Sequence, residues 1–435
     1  MRSIRKIVVL GANGAMGSGS GAVFACAGVP TVFLARSLEK AEAGRARAEQ
    51  LAKGKLPPKS IRCGTYDDDL AHVVGEADLI FEAVSEDLDT KRQVFGVIDR
   101  VRAPGTIVAT VSSGLSISAM CAERSEDFRR HFLGVHLFNP PTVIVGCEIV
   151  PHDETSREVV DDVRALLEQT FGRVVVECAD TPAFAGNRIG FKVLNEVAQL
   201  AEEHGVAYMD QLLGSHTGRA LAPLATIDLV GWDVHKAIVD NLWDSTRDEA
   251  HDCFLLPAYM MRGIATGHLG RKTRDKGGFF RVDGKGDSAV HFVLDPATGA
   301  YKALTDVRPP LPAFVERMKA AIRNGKHPDA LDVLCRAEGK DAEVLRRVML
   351  GYISYALSRV GEVVERARDV DRIMGFGFNW APPSVLVDGI GAARTIQLLE
   401  RVQLPVPPVV IEAARTGRPL FDEPAIEPSR FFQAA

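Results

Sequence analysis

The chain has 435 residues, 46% of them hydrophobic and 25% charged, the composition of a globular protein long enough for roughly three domains. A net charge of −5 without a basic block excludes a nucleic-acid role, and no apolar run reaches the length of a bilayer span. The seven cysteines are scattered, odd in number and without a Cys-x-x-Cys pair, so neither a disulfide framework nor a metal site is expected. The N-terminus runs straight into a strand with no signal peptide, and a cytoplasmic location is expected.

Ile4 to Leu10 reads as a strand feeding the run Gly11-Ala-Asn-Gly14-Ala15-Met16-Gly17-Ser-Gly19, after which Ala22, Val23, Ala25 and Cys26 continue a helical apolar pattern. Strand, glycine-rich turn and helix start are the parts of a dinucleotide phosphate site. Glycines permit the tight turn and the close approach of backbone to pyrophosphate, and the helix N-terminus supplies N–H groups and a positive dipole. Gly11, Gly14, Ala15, Met16 and Gly17 are therefore candidate cofactor residues. The Gly-x-x-Gly-x-x-Gly spacing is one residue longer at its first step than the commonest fingerprint.

The second strand, Thr31 to Ala35, ends at Arg36-Ser37. An acid at this point binds the ribose hydroxyls of NAD, whereas an arginine can meet a 2′-phosphate, with help from Ser37 and Lys40. Equally, Arg36 can stack on the adenine or face solvent. Glu39 to Lys53 is a polar helix stopped by Gly54 and Pro57-Pro58. Asp78 to Glu86 is a buried strand with Glu82 and Glu86 at its C-terminal end, the end that faces the ligand crevice in an open parallel sheet. An amphipathic helix from Leu88 to Val101 carries Lys91, and a strand from Thr106 to Thr110 leads into Val111-Ser112-Ser113-Gly114.

The apolar runs at Phe132 to Val135 and Val143 to Val150 are strand-length, and Asn139-Pro140-Pro141 between them is a turn signal. His136 then stands at a strand mouth opposite Glu148, whose carboxylate would fix the imidazole tautomer and stabilise its protonated form. The plainer alternative is a buried histidine satisfied by its neighbours. A helix from Thr155 to Phe171 and a strand from Arg173 to Cys178 complete a doubly wound α/β, Rossmann-type domain over residues 1–179.

The pattern changes at Asp180-Thr-Pro182-Ala-Phe-Ala-Gly-Asn187-Arg188, and residues 180–282 read as an all-α domain. Residues 283–340 form an insert or linker in which Phe292–Leu294 and Tyr301–Ala303 flank Asp295-Pro-Ala-Thr-Gly299 as a hairpin. Residues 341–435 carry a degenerate second helical repeat: a long helix from Leu345 to Arg368 is followed by Ala381-Pro382-Pro383, Asp388 and Gly391, which echo Ala222-Pro223, Asp228 and Gly231 with a one-residue offset. The tail beyond Pro405 is Pro-rich and reads as a surface wrap.

The sequence resembles the L-3-hydroxyacyl-CoA dehydrogenases from Ile4 to about Val282, and more faintly after Asp341. The resemblance rests on His136-Leu-Phe-Asn-Pro with Glu148, on Asp-Thr-Pro-x-Phe-x-x-Asn187-Arg and on Gly-Arg-Lys-Thr at Gly270. It implies that His136 is the catalytic acid/base of an NAD-dependent oxidation and that Glu148 pairs with it. Ser113 and Asn187 would hold the substrate oxygen, and Glu82, Glu86 and Lys91 would lie near nicotinamide and ribose. An acyl-CoA is the implied substrate, its CoA lying between the α/β and helical domains. Lys53, Lys55 and Lys59 either meet the CoA phosphates or are merely solvated. Single-repeat relatives dimerise through the helical domain, so the second repeat is expected to pack within its own chain, in a monomer or a homodimer. No second α/β segment follows that repeat, and no fused hydratase is expected.

Three departures bear on the cofactor and the serine loop: the longer glycine turn, Arg36 in place of the ribose-binding acid, and Val111 in place of the asparagine before the serines. NADP joins NAD as a candidate cofactor on the strength of Arg36. Two other classes remain open, a dehydrogenase of a small hydroxy or sugar acid without CoA and a non-catalytic cofactor-binding protein. The complete set of Ser113, His136, Glu148 and Asn187 weighs against the second, because a binding module needs no acid/base pair.

Overall fold

Short apolar runs alternating with helices build one eight-stranded sheet. Its strands are β1 (Ile7–Leu10), β2 (Thr31–Ala35), β3 (Ile61–Thr65), β4 (Leu79–Glu82), β5 (Ile107–Thr110), β6 (Phe132–Leu137), β7 (Gly146–Val150) and β8 (Val174–Glu177). They lie in the order β3-β2-β1-β4-β5-β6-β7-β8. The first six are parallel, β7 turns back against β6, and β8 runs with β7. Strand order reverses at β1, which sits between β2 and β4, and in open α/β sheets the crevice outside the carboxyl ends at such a point takes the ligand. This nucleotide-binding, Rossmann-like sheet followed by helices is the expected fold class.

The computed structural model describes residues 3–434. They fall into two units: Met1–Phe184 with Glu362–Val364 and Phe376–Phe378, and Ala185–Gly361 with Glu365–Gly375 and Asn379–Ala435.

In the first unit, the crossover helices are α1 (Ala15–Cys26), α2 (Leu38–Ala52), α3 (Tyr66–Gly75) and α4 (Leu88–Val101). Each of the last three starts on a side-chain cap: Ser37 accepts the Lys40 N–H, Thr65 that of Asp68, and Asp87 that of Thr90. The first has no side-chain cap, which leaves its N-terminal N–H groups for another acceptor. Its residues from Gly17 to Ala22 are small and buried, so the helix lies close on the sheet. Phe24 follows them, its ring 5.0 Å from Phe81 and 4.9 Å from Phe171. Burying one such ring contributes roughly 1.5–3 kcal/mol. Strand β3 and helix α3 have no counterpart in the reading of the sequence. The strand is short and lies at the sheet edge, with Arg62 pointing to solvent, so it lacks an apolar run.

The second unit is mainly helical. The two long helices Gly186–His204 and Lys340–Ser358 head its two repeats. Asp248 joins the repeats, accepting from Arg188 at 2.8 Å, Tyr355 at 2.8 Å and Arg359 at 3.1 Å. The repeats share a device. Helices Pro223–Val230 and Pro383–Ile390 each begin on proline and end at a glycine, Gly231 (φ 101°, ψ 135°) and Gly391 (φ 93°, ψ 125°). Within them, Asp228 accepts the N–H groups of Phe279 and Phe280, both at 2.8 Å. Asp388 accepts those of Leu420 and Phe421 at 2.8 and 2.9 Å. Arg219 and Trp380 pair in an antiparallel bridge, flanked by bonds from Ala220 to Asn379 and from Ala381 to Gly218. Under the spacing that maps Asp228 onto Asp388, Arg219 maps onto Asn379 and Ala220 onto Trp380. The bridge thus pairs each of these two adjacent positions with the other's equivalent, the exchange that an isologous contact makes.

Between the repeats, Phe280–Asp283, Val290–Leu294 and Tyr301–Ala303 form a small antiparallel sheet. Two further helices, Ala313–Arg323 and His327–Arg336, occupy the stretch read from sequence as linker. No helix among the described residues is long and apolar enough to cross a membrane.

Candidate active site

His136 and Glu148 face each other in register across β6 and β7. The imidazole Nδ1 lies 2.5 Å from Glu148 Oε2, and both side chains are buried. An ionised carboxylate only accepts, so Nδ1 carries the proton of this bond and Nε2 is the nitrogen that can exchange one. Glu148 Oε1 also accepts the Cys178 thiol at 3.5 Å. The Phe138 and Phe184 rings stand 4.7 and 5.9 Å from the imidazole. Phe184 and Ala183 before it are held at φ 55° and 59°, an uncommon pair of conformations for residues with side chains, and both are fully buried.

A second buried pair lies at the carboxyl ends of β4 and β5. Lys91 of α4 sits 2.9 Å from both oxygens of Glu82, and neither side chain is exposed. Glu82 accepts two further bonds, from the Val84 N–H and the Thr110 hydroxyl, both at 2.6 Å. Lys91 also reaches Glu86 at 3.3 Å. Glu86, partly open to solvent, accepts the Ser112 hydroxyl at 2.5 Å and the Ser113 N–H at 2.7 Å. The chain from Glu82 through Lys91 to Glu86 therefore fixes the serine loop from one side. Asp180 holds the start of the short helix that follows, accepting the N–H groups of Ile117 and Ser118, both at 2.8 Å. Glu82 and Lys91 are buried, whereas Glu86 is exposed and Ser113 half-buried.

The glycine turn occupies the carboxyl end of β1. Gly11 has φ 73°, and a Cβ there would overlap the Ala83 carbonyl of the strand beside it, so only glycine fits. Gly14 is the first cap of α1, followed by Ala15, Met16 and Gly17; a Cβ on Gly17 would strike the Gly11 carbonyl. This cradle of close-packed backbone and an uncapped helix start fits a pyrophosphate. Tyr66 was not foreseen: its hydroxyl accepts the Gly11 N–H at 2.8 Å, and burial pushes its phenol up. Only its place directly after a strand could have signalled it, and that strand was itself missed. Arg36 is exposed at the end of β2. Ser37 spends its oxygen on the Lys40 N–H as a helix cap, so Ser37 is first of all a structural residue.

Lys59 stands elsewhere. It is exposed in the loop entering β3, and neighbouring Ser60 bonds to Thr31 at the start of β2. That is the edge where the parallel strands begin, opposite the edge that carries the glycine turn and the serine loop. Asn187 belongs to the second unit, buried in the first turn of the helix Gly186–His204. Among the described residues no cluster of His, Cys, Asp and Glu has the arrangement of a metal site.

Residues 6–181 match the family model described as 3-hydroxyacyl-CoA dehydrogenase, NAD binding domain, and residues 184–279 match the one described as its C-terminal domain. A Bacillus subtilis protein named probable 3-hydroxyacyl-CoA dehydrogenase is 29% identical over 97% of this chain, which spans 55% of that relative's length. A Deinococcus radiodurans protein of the same name is 33% identical, over 64% of this chain and 83% of its own. The crystal structure of 3-hydroxybutyryl-CoA dehydrogenase from Escherichia coli superposes with a TM-score of 0.71, covering 95% of this chain and 99% of that one; at 21% identity the likeness is one of fold. With its cradle for a nicotinamide cofactor, its paired His136 and Glu148 and these matches over both domains, the chain belongs to the 3-hydroxyacyl-CoA dehydrogenase family.

Proposed function

We propose that the chain interconverts a (3S)-3-hydroxyacyl-CoA and a 3-ketoacyl-CoA, within fatty-acid β-oxidation or a related acyl-CoA degradation. The observation that carries this reading is the buried 2.5 Å contact between His136 and Glu148, set beside a crevice with a dinucleotide cradle. A bound nicotinamide would take the hydride from the carbinol carbon, or return it to the ketone. The protein's part is to bind, orient and move the proton. The N-terminus of α1 and the Gly11 turn bind the pyrophosphate. His136 Nε2 removes the hydroxyl proton as the C–H bond breaks, and Glu148 offsets the charge that develops on the ring. Ser113 holds the substrate oxygen, the role that the family motif gives to Asn187 as well. In reverse, the imidazolium protonates the developing alkoxide.

Cofactor choice rests on Arg36. A guanidinium at the end of β2 attracts a 2′-phosphate where a carboxylate would repel it. NADP(H) is therefore accepted alongside the family's NAD(H). The test is a turnover screen of 3-hydroxyacyl-CoA and 3-ketoacyl-CoA esters of several chain lengths with each cofactor, followed by nicotinamide absorbance. Turnover of at least one ester is expected. No turnover of any ester with either cofactor, under conditions where the cofactor binds, would remove the reading.

A further inference from the structure

Three residues of the C-terminal repeat, Phe376–Phe378, pack as part of the first unit, although the residues on either side of them belong to the second. They end a single π-helical turn, Met374–Phe378, closed by Asn379 at φ 55°. Such turns are rare in proteins and recur at functional sites.

The segment lies against the carboxyl end of β6 and the start of β7. A Cβ on Gly146 would come within 2.6 Å of the Gly377 nitrogen and 2.7 Å of the Phe376 carbonyl carbon. Gly377 is bare in turn where the Phe138 ring arrives: a Cβ there would lie 2.9 and 3.0 Å from two of its carbons. The Phe378 ring stands edge-on to Phe138 at 5.8 Å, and the Phe138 ring is 4.7 Å from the His136 imidazole. Side chains two apart on a strand share a face, so Gly146 lies on the face of Glu148. Phe138 follows His136 by the same step. Each partner of the buried pair thus has, two residues along its chain, a residue in contact with this segment.

We propose that Phe376–Phe378 is a positioning segment for the His136–Glu148 pair. It acts through Phe138, which it clamps against the imidazole, and through the Gly146 end of β7. The proposal rests on the reading of His136 as the acid/base. The physical reason is that the imidazole must present Nε2 along one line, and a misplacement of about 1 Å can cost on the order of 100-fold in rate. Apolar cover also excludes water from the Nδ1 to Oε2 bond, which strengthens it. This role requires an apolar ring at Phe378 and no side chain at Gly377. It assigns the second repeat a part in the reaction beyond its packing in the second unit.

The test uses the full chain with Gly377→Ala, Phe378→Ala and Phe378→Leu. Gly377→Ala drives a methyl into the Phe138 ring, while Phe378→Ala removes bulk and adds none, so the pair separates displacement from misfolding. Both should lower kcat roughly 10- to 100-fold with KM for the nicotinamide cofactor unchanged. Phe378→Leu, which keeps an apolar wall, should restore most of it. The second readout needs no substrate: the downfield proton resonance of His136 Nδ1–H should broaden into solvent exchange in the two alanine variants and persist in Phe378→Leu. Wild-type kcat together with an unchanged resonance in both alanine variants would overturn the proposal. If the wild type turns over no acyl-CoA ester, the reading of the reaction fails, and the resonance alone decides the positioning role.

Discussion

Replacing Lys91 by methionine removes one partner of a wholly buried ion pair. Lys91 makes 2.9 Å contacts to both oxygens of Glu82, and both side chains are wholly buried. Methionine fills a similar volume without the charge, and Glu82 keeps only its bonds from Val84 and Thr110. Removing one partner of a buried pair costs about 3–5 kcal/mol, because the survivor remains desolvated. For a unit of this size, about 2–4 °C of Tm accompanies each kcal/mol, so the first unit should melt on the order of 6–20 °C lower. The double variant Glu82→Gln/Lys91→Met has no bare carboxylate and should recover part of that loss, giving a double-mutant coupling well above 1 kcal/mol. Scanning calorimetry that resolves the transition of the first unit makes the measurement. A loss below about 1 kcal/mol for Lys91→Met would refute the reasoning, since it would mean that Glu82 is reached by water or is not charged. Because Lys91 also holds Glu86, the serine loop should loosen in the same variant, with an added loss of turnover.

Arg36→Asp should move the ratio of kcat/KM values towards NAD(H) by about tenfold or more, since a charged hydrogen bond contributes roughly 1.5–3 kcal/mol; unchanged ratios would mean that Arg36 does not read the ribose. Asp371 is wholly buried in the second unit, accepts the Ser384 N–H at 3.1 Å, and is pushed by burial up to about 7. A carboxyl raised in the folded state contributes stability that is whole below its unfolded value and lost as pH rises through 7. Asp371→Asn should therefore gain stability over wild type between pH 4 and 8, by at most about 4 kcal/mol, and a difference in Tm that stays flat with pH would contradict it.

The parts of this molecule legible in its sequence are those built from local pattern. The Gly11 turn shows because an apolar strand, three spaced glycines and a helix start are contiguous, and α4 shows because its buried face recurs at helical spacing. The echo of Asp228 in Asp388 was visible because Ala-Pro, aspartate and glycine recur in the same order with a one-residue offset, and in the structure each aspartate accepts two backbone N–H groups. What escaped depends on distant partners. Strand β3 is held by β2 and by little apolar character of its own. The helix Ala313–Arg323 buries Phe314, Val315 and Met318, yet it lies in the stretch read from the sequence as insert or linker. Glu82, Glu86 and Lys91 stood near nicotinamide and ribose through the resemblance alone; the bonds that Lys91 makes to both glutamates became visible only in the fold. No spacing rule could have brought Gly377 to Gly146, since the contact exists only after two separate stretches of chain have folded.

The most direct test of the account is single-turnover kinetics of His136→Gln with a 3-ketoacyl-CoA and reduced cofactor. Glutamine keeps a hydrogen-bonding side chain beside Glu148 and removes the titrating ring nitrogen. General acid/base catalysis contributes roughly 10²–10⁴-fold, so the chemical step should slow by that factor while the affinity for acyl-CoA changes little. A His136→Gln variant whose chemical step runs within a few-fold of wild type would contradict the central claim, because the buried pair would then be structural and the proton would move elsewhere.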